Sequence, residues 1–110
     1  MLVLRLRRLE VFGPSMSPTL EPGDRLLLWR TRRARPGDLV VVPDPRQSRR
    51  LVVKRVLAVS QAGLTLRGDN PGASTDSRQF GAVPPSTVRG RVVYRYHPDR
   101  QRGRIGRLVP

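Results

Sequence analysis

Apolar residues along the chain fall into short runs, and turn-forming residues separate them. The opening MLVLRLRRLEVF is strand-like up to Phe12. EPGDRLLLWR, from Glu21, and ARPGDLVVVPDP, from Ala34, share one plan, a Pro-Gly-Asp turn leading into an apolar strand, as turn chemistry followed by β-propensity requires. Asp24 and Asp38 are expected to close those turns. In RRLVVKRVLAVS the residues from Leu51 to Val59 predict a strand. Alternation puts Val52, Lys54, Val56 and Ala58 on one face and Leu51, Val53, Arg55, Leu57 and Val59 on the other. GLTLRGDNPGASTDSRQFG begins with a further strand and enters a loop dense in Gly, Asn, Asp and Ser. VRGRVVYRYH predicts the last strand, ending near His97.

Spaced strands without a convincing helix indicate a mostly β domain. At 110 residues the chain holds one modest core. We expect residues 1–97 to form that domain and the basic segment 98–110 to be a flexible, solvated tail. Apolar content is 37%, with only two Phe, two Tyr and one Trp, so the core is one of Val and Leu. There is no cysteine, which excludes disulfides and thiolate metal sites. One histidine and few acids argue against a catalytic metal cluster, and no metal or other cofactor is expected. His97 reads as a surface residue.

No run approaches the roughly 20 apolar residues of a membrane helix, and the opening segment, broken by Arg5, Arg7 and Arg8, lacks the h-region of a signal peptide. A soluble protein is therefore expected. The alternative is a short amphipathic helix through Leu2, Leu6 and Leu9 resting on anionic lipid.

A net charge of +14, from 22 basic and 8 acidic residues, suggests nucleic acid first. The arginines are dispersed, however, and the aromatic platforms of a single-strand binder are missing. Among the 22 basic residues Lys54 is the only lysine. Lysine differs from arginine in that burial can deprotonate it, and Lys54 shares its predicted face with small apolar groups, where desolvation favours the neutral amine. To act as a base near neutrality its pKa must fall from about 10.4 to roughly 7 to 8, a change of ~4 kcal/mol. The competing possibility is a lysine that snorkels to the sheet edge.

GPSMSPTL, residues 13 to 20, is uncharged in this basic chain. With VVKRV and GDNPGASTDSRQFG it resembles the bacterial type I signal peptidase family of serine/lysine proteases. The serine box of that family is matched by Ser15, Met16, Ser17, Pro18, Thr19 and Leu20, and its lysine box by Val53, Lys54, Arg55 and Val56. The late box is matched by Gly68, Asp69, Asn70, Ser74, Asp76, Ser77, Arg78 and Gly81. The three occur in the family's order.

The resemblance implies a small signal-peptidase-like catalytic β-fold of antiparallel strands, here without the large β insertion and without a membrane anchor. It implies that Ser15 attacks the scissile carbonyl with neutral Lys54 as general base, a pair that needs no histidine. Ser17 competes as nucleophile, but the family serine directly precedes the methionine, which favours Ser15. Ser74 would orient the lysine amine, and Asp76 and Arg78 would hold the loop that carries it. The backbone N–H of Ser15 would meet the oxyanion. Gly13 stands where some members place a second donor, and Met16, Pro18, Thr19 and Leu20 would shape the cleft wall or merely pack the turn.

A compact subgroup, the proteases that mature nickel-type superoxide dismutase, is similar in size and in its Gly-x-Ser-Met-x-Pro-Thr box. It implies a precursor protein, nickel superoxide dismutase, as partner and substrate. A cytoplasmic location is expected, with a peripheral position on the cytoplasmic membrane as the alternative. Two other functions compete: a general signal peptidase acting at the membrane, and a basic nucleic-acid-binding β domain whose serine and lysine are incidental.

Overall fold

The computed structural model of the chain describes residues 6–73 and 81–106. Strands β1 (Leu6–Glu10), β2 (Arg25–Trp29), β3 (Leu39–Asp44), β4 (Gln47–Ser60), β5 (Gly63–Arg67), β6 (Gly90–His97) and β7 (Gly103–Arg104) form one sheet. Its order is β1-β2-β6-β3-β4-β5, with β7 added on β6, and every strand pairing is antiparallel. The expected mostly β, antiparallel fold is thus present. No helix among the described residues is long and apolar enough to cross a membrane.

Both Pro-Gly-Asp segments fold as their composition dictates. The Asp24 N–H donates to the Glu21 carbonyl at 3.0 Å, and the Asp38 N–H to that of Arg35 at 3.0 Å. Each aspartate then accepts a bond from the N–H of the residue that opens its turn, at 2.9 Å in both cases. Gly23 and Gly37 supply the positive φ, +91° and +93°, that such a turn needs. The turns are therefore closed twice, by backbone and by carboxylate.

The run of valines in β3 is explained by burial on both faces. Leu39 and Val41 join Val11, Met16, Leu20, Leu26, Leu28 and Val92 in one cluster. Val40 and Val42 join Val56, Leu64, Leu66, Val83 and Val88 in another. A strand covered on both sides needs no polar alternation. On β4 the predicted alternation holds as far as Val56, since Val52 packs on the second cluster and Val53 on the first. A register shift between Val56 and Ala58 then interrupts it, and Ala58 is exposed. Bulges of this kind bend a strand and raise its twist.

Two expectations about the ends need revision. Residues 6–10 are a strand paired with β2, so the helical alternative does not hold for Leu6 and Leu9; Leu2 lies outside the described residues. The segment after His97, expected to be a flexible tail, turns back onto the sheet as far as it is described. Gly103–Arg104 pairs with β6, the Ile105 N–H donates to the Val93 carbonyl at 2.9 Å, and the Ile105 side chain packs on the first cluster. The Arg95 side chain fixes the intervening turn by donating to the Gln101 carbonyl at 2.8 Å.

Candidate active site

The serine box forms the connection between β1 and β2. Its neck is closed by two bonds of 2.8 Å, from the Val11 N–H to the Asp24 carbonyl and from the Gly23 N–H to the Val11 carbonyl. Inside it, the Ser17 N–H donates to Pro14 and the Leu20 N–H to Met16. Met16 and Leu20 are 1% and 0% exposed and anchor the loop in the core. Ser15, between exposed Pro14 and buried Met16, is half-buried. Apolar side chains thus hold down a loop in which Ser15 itself is only partly covered.

The late box fastens that loop to the lysine strand. The Asn70 N–H donates to the Ser15 carbonyl at 2.9 Å, and the Asn70 side-chain amide donates to the Pro14 carbonyl at 3.0 Å. The Asp69 N–H lies 3.4 Å from the Met16 sulfur, and the Thr19 hydroxyl donates to Asp69 Oδ2 at 2.5 Å. Asp69 also accepts two bonds from Arg55, Nη2 to Oδ2 at 2.7 Å and Nε to Oδ1 at 3.3 Å. A further bond runs from Arg55 Nη1 to the Gly37 carbonyl at 2.9 Å. From β6, Arg95 donates to the Thr19 carbonyl at 3.0 Å and to Asp24 at 3.1 Å.

Lys54 stands directly before Arg55, pairs with Val40 across the ladder, and is 4% exposed. Its predicted burial is therefore found. Ser15, Met16, Val53 and Lys54 line one cavity of about 490 Å³, together with Leu9 to Phe12 of the β1 end and Arg50 to Val52 of β4. Ser17, Gly13 and Pro18 are not among its lining residues. Pro18 and Gly13 are exposed, with Gly13 at a φ of +77°. Leu20 belongs to the core, and Thr19 serves Asp69. Ser74, Asp76 and Arg78 lie outside the described residues; Ala73, immediately before them, lines the cavity.

Asp44, buried beside Arg46, also lines the cavity. Burial on its own raises the carboxyl pKa. The Arg46 N–H bond, the Arg46 guanidinium and the nearby charge of Arg50 outweigh it and hold the carboxyl below its ordinary value.

Residue composition gave no role to Arg55, Asp69, Asn70 or Arg95. The first three stand inside the motif boxes, which was a signal that they belong to the site. Arg95 is one arginine among many, and nothing in the sequence distinguishes it.

The antiparallel sheet thus brings a half-buried serine and a buried lysine to one cavity. Residues 2–63 match the family model described as "Signal peptidase, peptidase S26", and the chain belongs to that family. It is 35% identical to the mitochondrial ATP-independent inner membrane protease subunit 1a of Arabidopsis thaliana, over 86% of this chain and 73% of that protein. It is 32% identical to the mitochondrial inner membrane protease subunit 1 of Xenopus tropicalis, over 78% and 66%. It is 29% identical to subunit 2 of Schizosaccharomyces pombe, over 84% and 66%. The expectation of a cytoplasmic protein is overturned by these relatives, whose names place them at an inner membrane. The physical reason it misled is that hydropathy reports spanning segments and is silent on how a folded domain is held at a membrane face.

Proposed function

We propose that this peptidase is a serine endopeptidase with a Ser15/Lys54 dyad that removes an amino-terminal leader from a precursor protein at a membrane face. The observation that carries the reading is the shared cavity, which has the half-buried Ser15 and the 4% exposed Lys54 among its lining residues. Burial that removes water from an amine favours its neutral form, which is the form a general base requires.

In the proposed reaction Ser15 Oγ adds to the scissile carbonyl carbon while Lys54 takes the hydroxyl proton. The Ser15 backbone N–H, which takes part in none of the hydrogen bonds that tie down its loop among the described residues, meets the oxyanion; one such donor is worth about 10²- to 10³-fold in rate. Collapse breaks the peptide bond, and Lys54 passes its proton to the leaving amine. Lys54 then deprotonates a water that cleaves the Ser15 ester, returning the hydroxyl and releasing a carboxylate. Ser74, Asp76 and Arg78 are proposed to orient the amine and support its loop, and Met16 to shape the cleft.

The substrate is proposed to bind as an extended strand. Among the described residues β1 pairs only with β2, and β4 pairs with β5 only from Arg55 onward, so both segments beside the cavity offer an edge for main-chain bonds to a peptide. A membrane-facing position is supported by exposed apolar residues: Phe12, which lines that cavity, is 77% exposed, and Leu6 and Trp29 are exposed cross-strand neighbours. The narrower assignment to the nickel superoxide dismutase precursor rests only on the likeness in size and serine box, and the named relatives do not point to it.

Incubation with a precursor bearing a typical signal peptide and with a nickel superoxide dismutase precursor tests both levels. Wild type should cleave at least one, while folded Ser15→Ala and Lys54→Met should cleave neither. Cleavage by Lys54→Met at the wild-type rate would remove the dyad from consideration.

A further inference from the structure

A second groove, of about 640 Å³, adjoins the first. Arg7 and Arg8 of β1, Arg30 and Arg32 after β2, Arg49 of β4 and Arg89 before β6 line it. Six of its eleven lining residues are arginine, against 22 basic residues in the 110 of the chain, so the basic composition alone does not account for it. All six are exposed, and no carboxylate lines the groove among the described residues. The ion pairs found among the described residues engage other arginines, namely Arg25, Arg46, Arg55, Arg95 and Arg102.

The two cavities share Leu9 and Leu51. A peptide lying along β4 from Lys54 would pass Leu51 and reach Arg49 after five residues, about 17 Å at the rise of an extended strand. A concavity lined by charge of one sign concentrates its field, and guanidinium groups match carboxylates in fork geometry. We propose that this groove binds acidic side chains of the precursor about five or more residues from the scissile bond, forming an exosite continuous with the catalytic cleft. The inference rests on the protease reading above. It adds a determinant of substrate choice, electrostatic and remote from the cut.

The test compares peptides carrying a run of glutamates that begins about five residues before or after the cut, each with its glutamine twin, on wild type and on Arg49→Gln/Arg89→Gln. At low salt one glutamate peptide should show a kcat/KM about tenfold above its twin, mostly through KM. The double variant should lose that preference while cutting the glutamine twin normally, and added salt should erase it in wild type. Equal cleavage of all peptides by wild type overturns the exosite and leaves the protease reading standing, whereas no cleavage of any peptide sinks both. If the double variant loses binding to phosphatidylglycerol vesicles and no glutamate preference exists, the groove serves lipid and the proposal is overturned.

Discussion

Arg55 holds Asp69 in a two-pronged ion pair, with its shorter bond at 2.7 Å, and both side chains are largely withdrawn from water, at 9% and 19% exposure. The pair joins the strand that carries Lys54 to the segment whose Asn70 binds the Ser15 carbonyl. It thereby ties the lysine box to the serine box, since Asp69 also accepts the Thr19 hydroxyl.

Removing one partner leaves the other charge buried. Asp69→Asn or Arg55→Met should therefore destabilise the fold by about 3 to 5 kcal/mol, measured by urea unfolding. Arg55→Met combined with Asp69→Leu should recover part of that loss, because no charge is then stranded. A double variant as unstable as the sum of the single ones would show that the pair is not the coupling element.

Asn70→Ala deletes the side-chain bond to Pro14 but keeps the backbone bond to Ser15. Stability should fall by about 1 kcal/mol. On the proposed dyad, activity should fall chiefly in kcat, since the loop that carries Ser15 loosens while the proposed cleft wall stays. A change confined to KM would contradict a positioning role.

Gly90 marks where three strands converge. A Cβ there would stand 2.5 Å from the Trp29 carbonyl oxygen and 2.7 Å from the Leu28 side chain, and β6 at this point bridges β2 and β3. Gly90→Ala should cost about 1 to 3 kcal/mol as overpacking against backbone, read as a lower urea midpoint. Gly13→Ala, with nothing within 4 Å of its Cβ, meets only the strain of its +77° φ, and its cost should be about 1 to 2 kcal/mol.

Asp44 gives the protein a dependence on acid. Its folded pKa lies below the ordinary 3.8, so the unfolded chain takes up a proton first as pH falls. The stabilisation is complete above the ordinary value and is lost as pH drops through the lowered one. Urea midpoints measured from pH 5 downward should fall more steeply for wild type than for Asp44→Asn. Parallel slopes would show that Asp44 contributes nothing to the acid limb.

The chain by itself determined its strands, its turns and its boxes, because each rests on interactions a few residues apart. The Asp24 and Asp38 turns close over three residues, the valine and leucine runs announce buried strands, and the order of the motifs announces the family. Only the tertiary structure decided what those boxes do to one another. The bonds from Thr19 to Asp69 and from Asn70 to Pro14 span 50 and 56 residues, and the burial of Lys54 depends on the register of β3 against β4. The return of residues 103–105 onto β6 was equally illegible, since an arginine- and glycine-rich segment carries no periodic apolar signal to reveal its pairing. The arginine groove is of the same kind: its members come from four separate stretches of chain, and charge at distant positions becomes a site only when folding brings those positions to one rim.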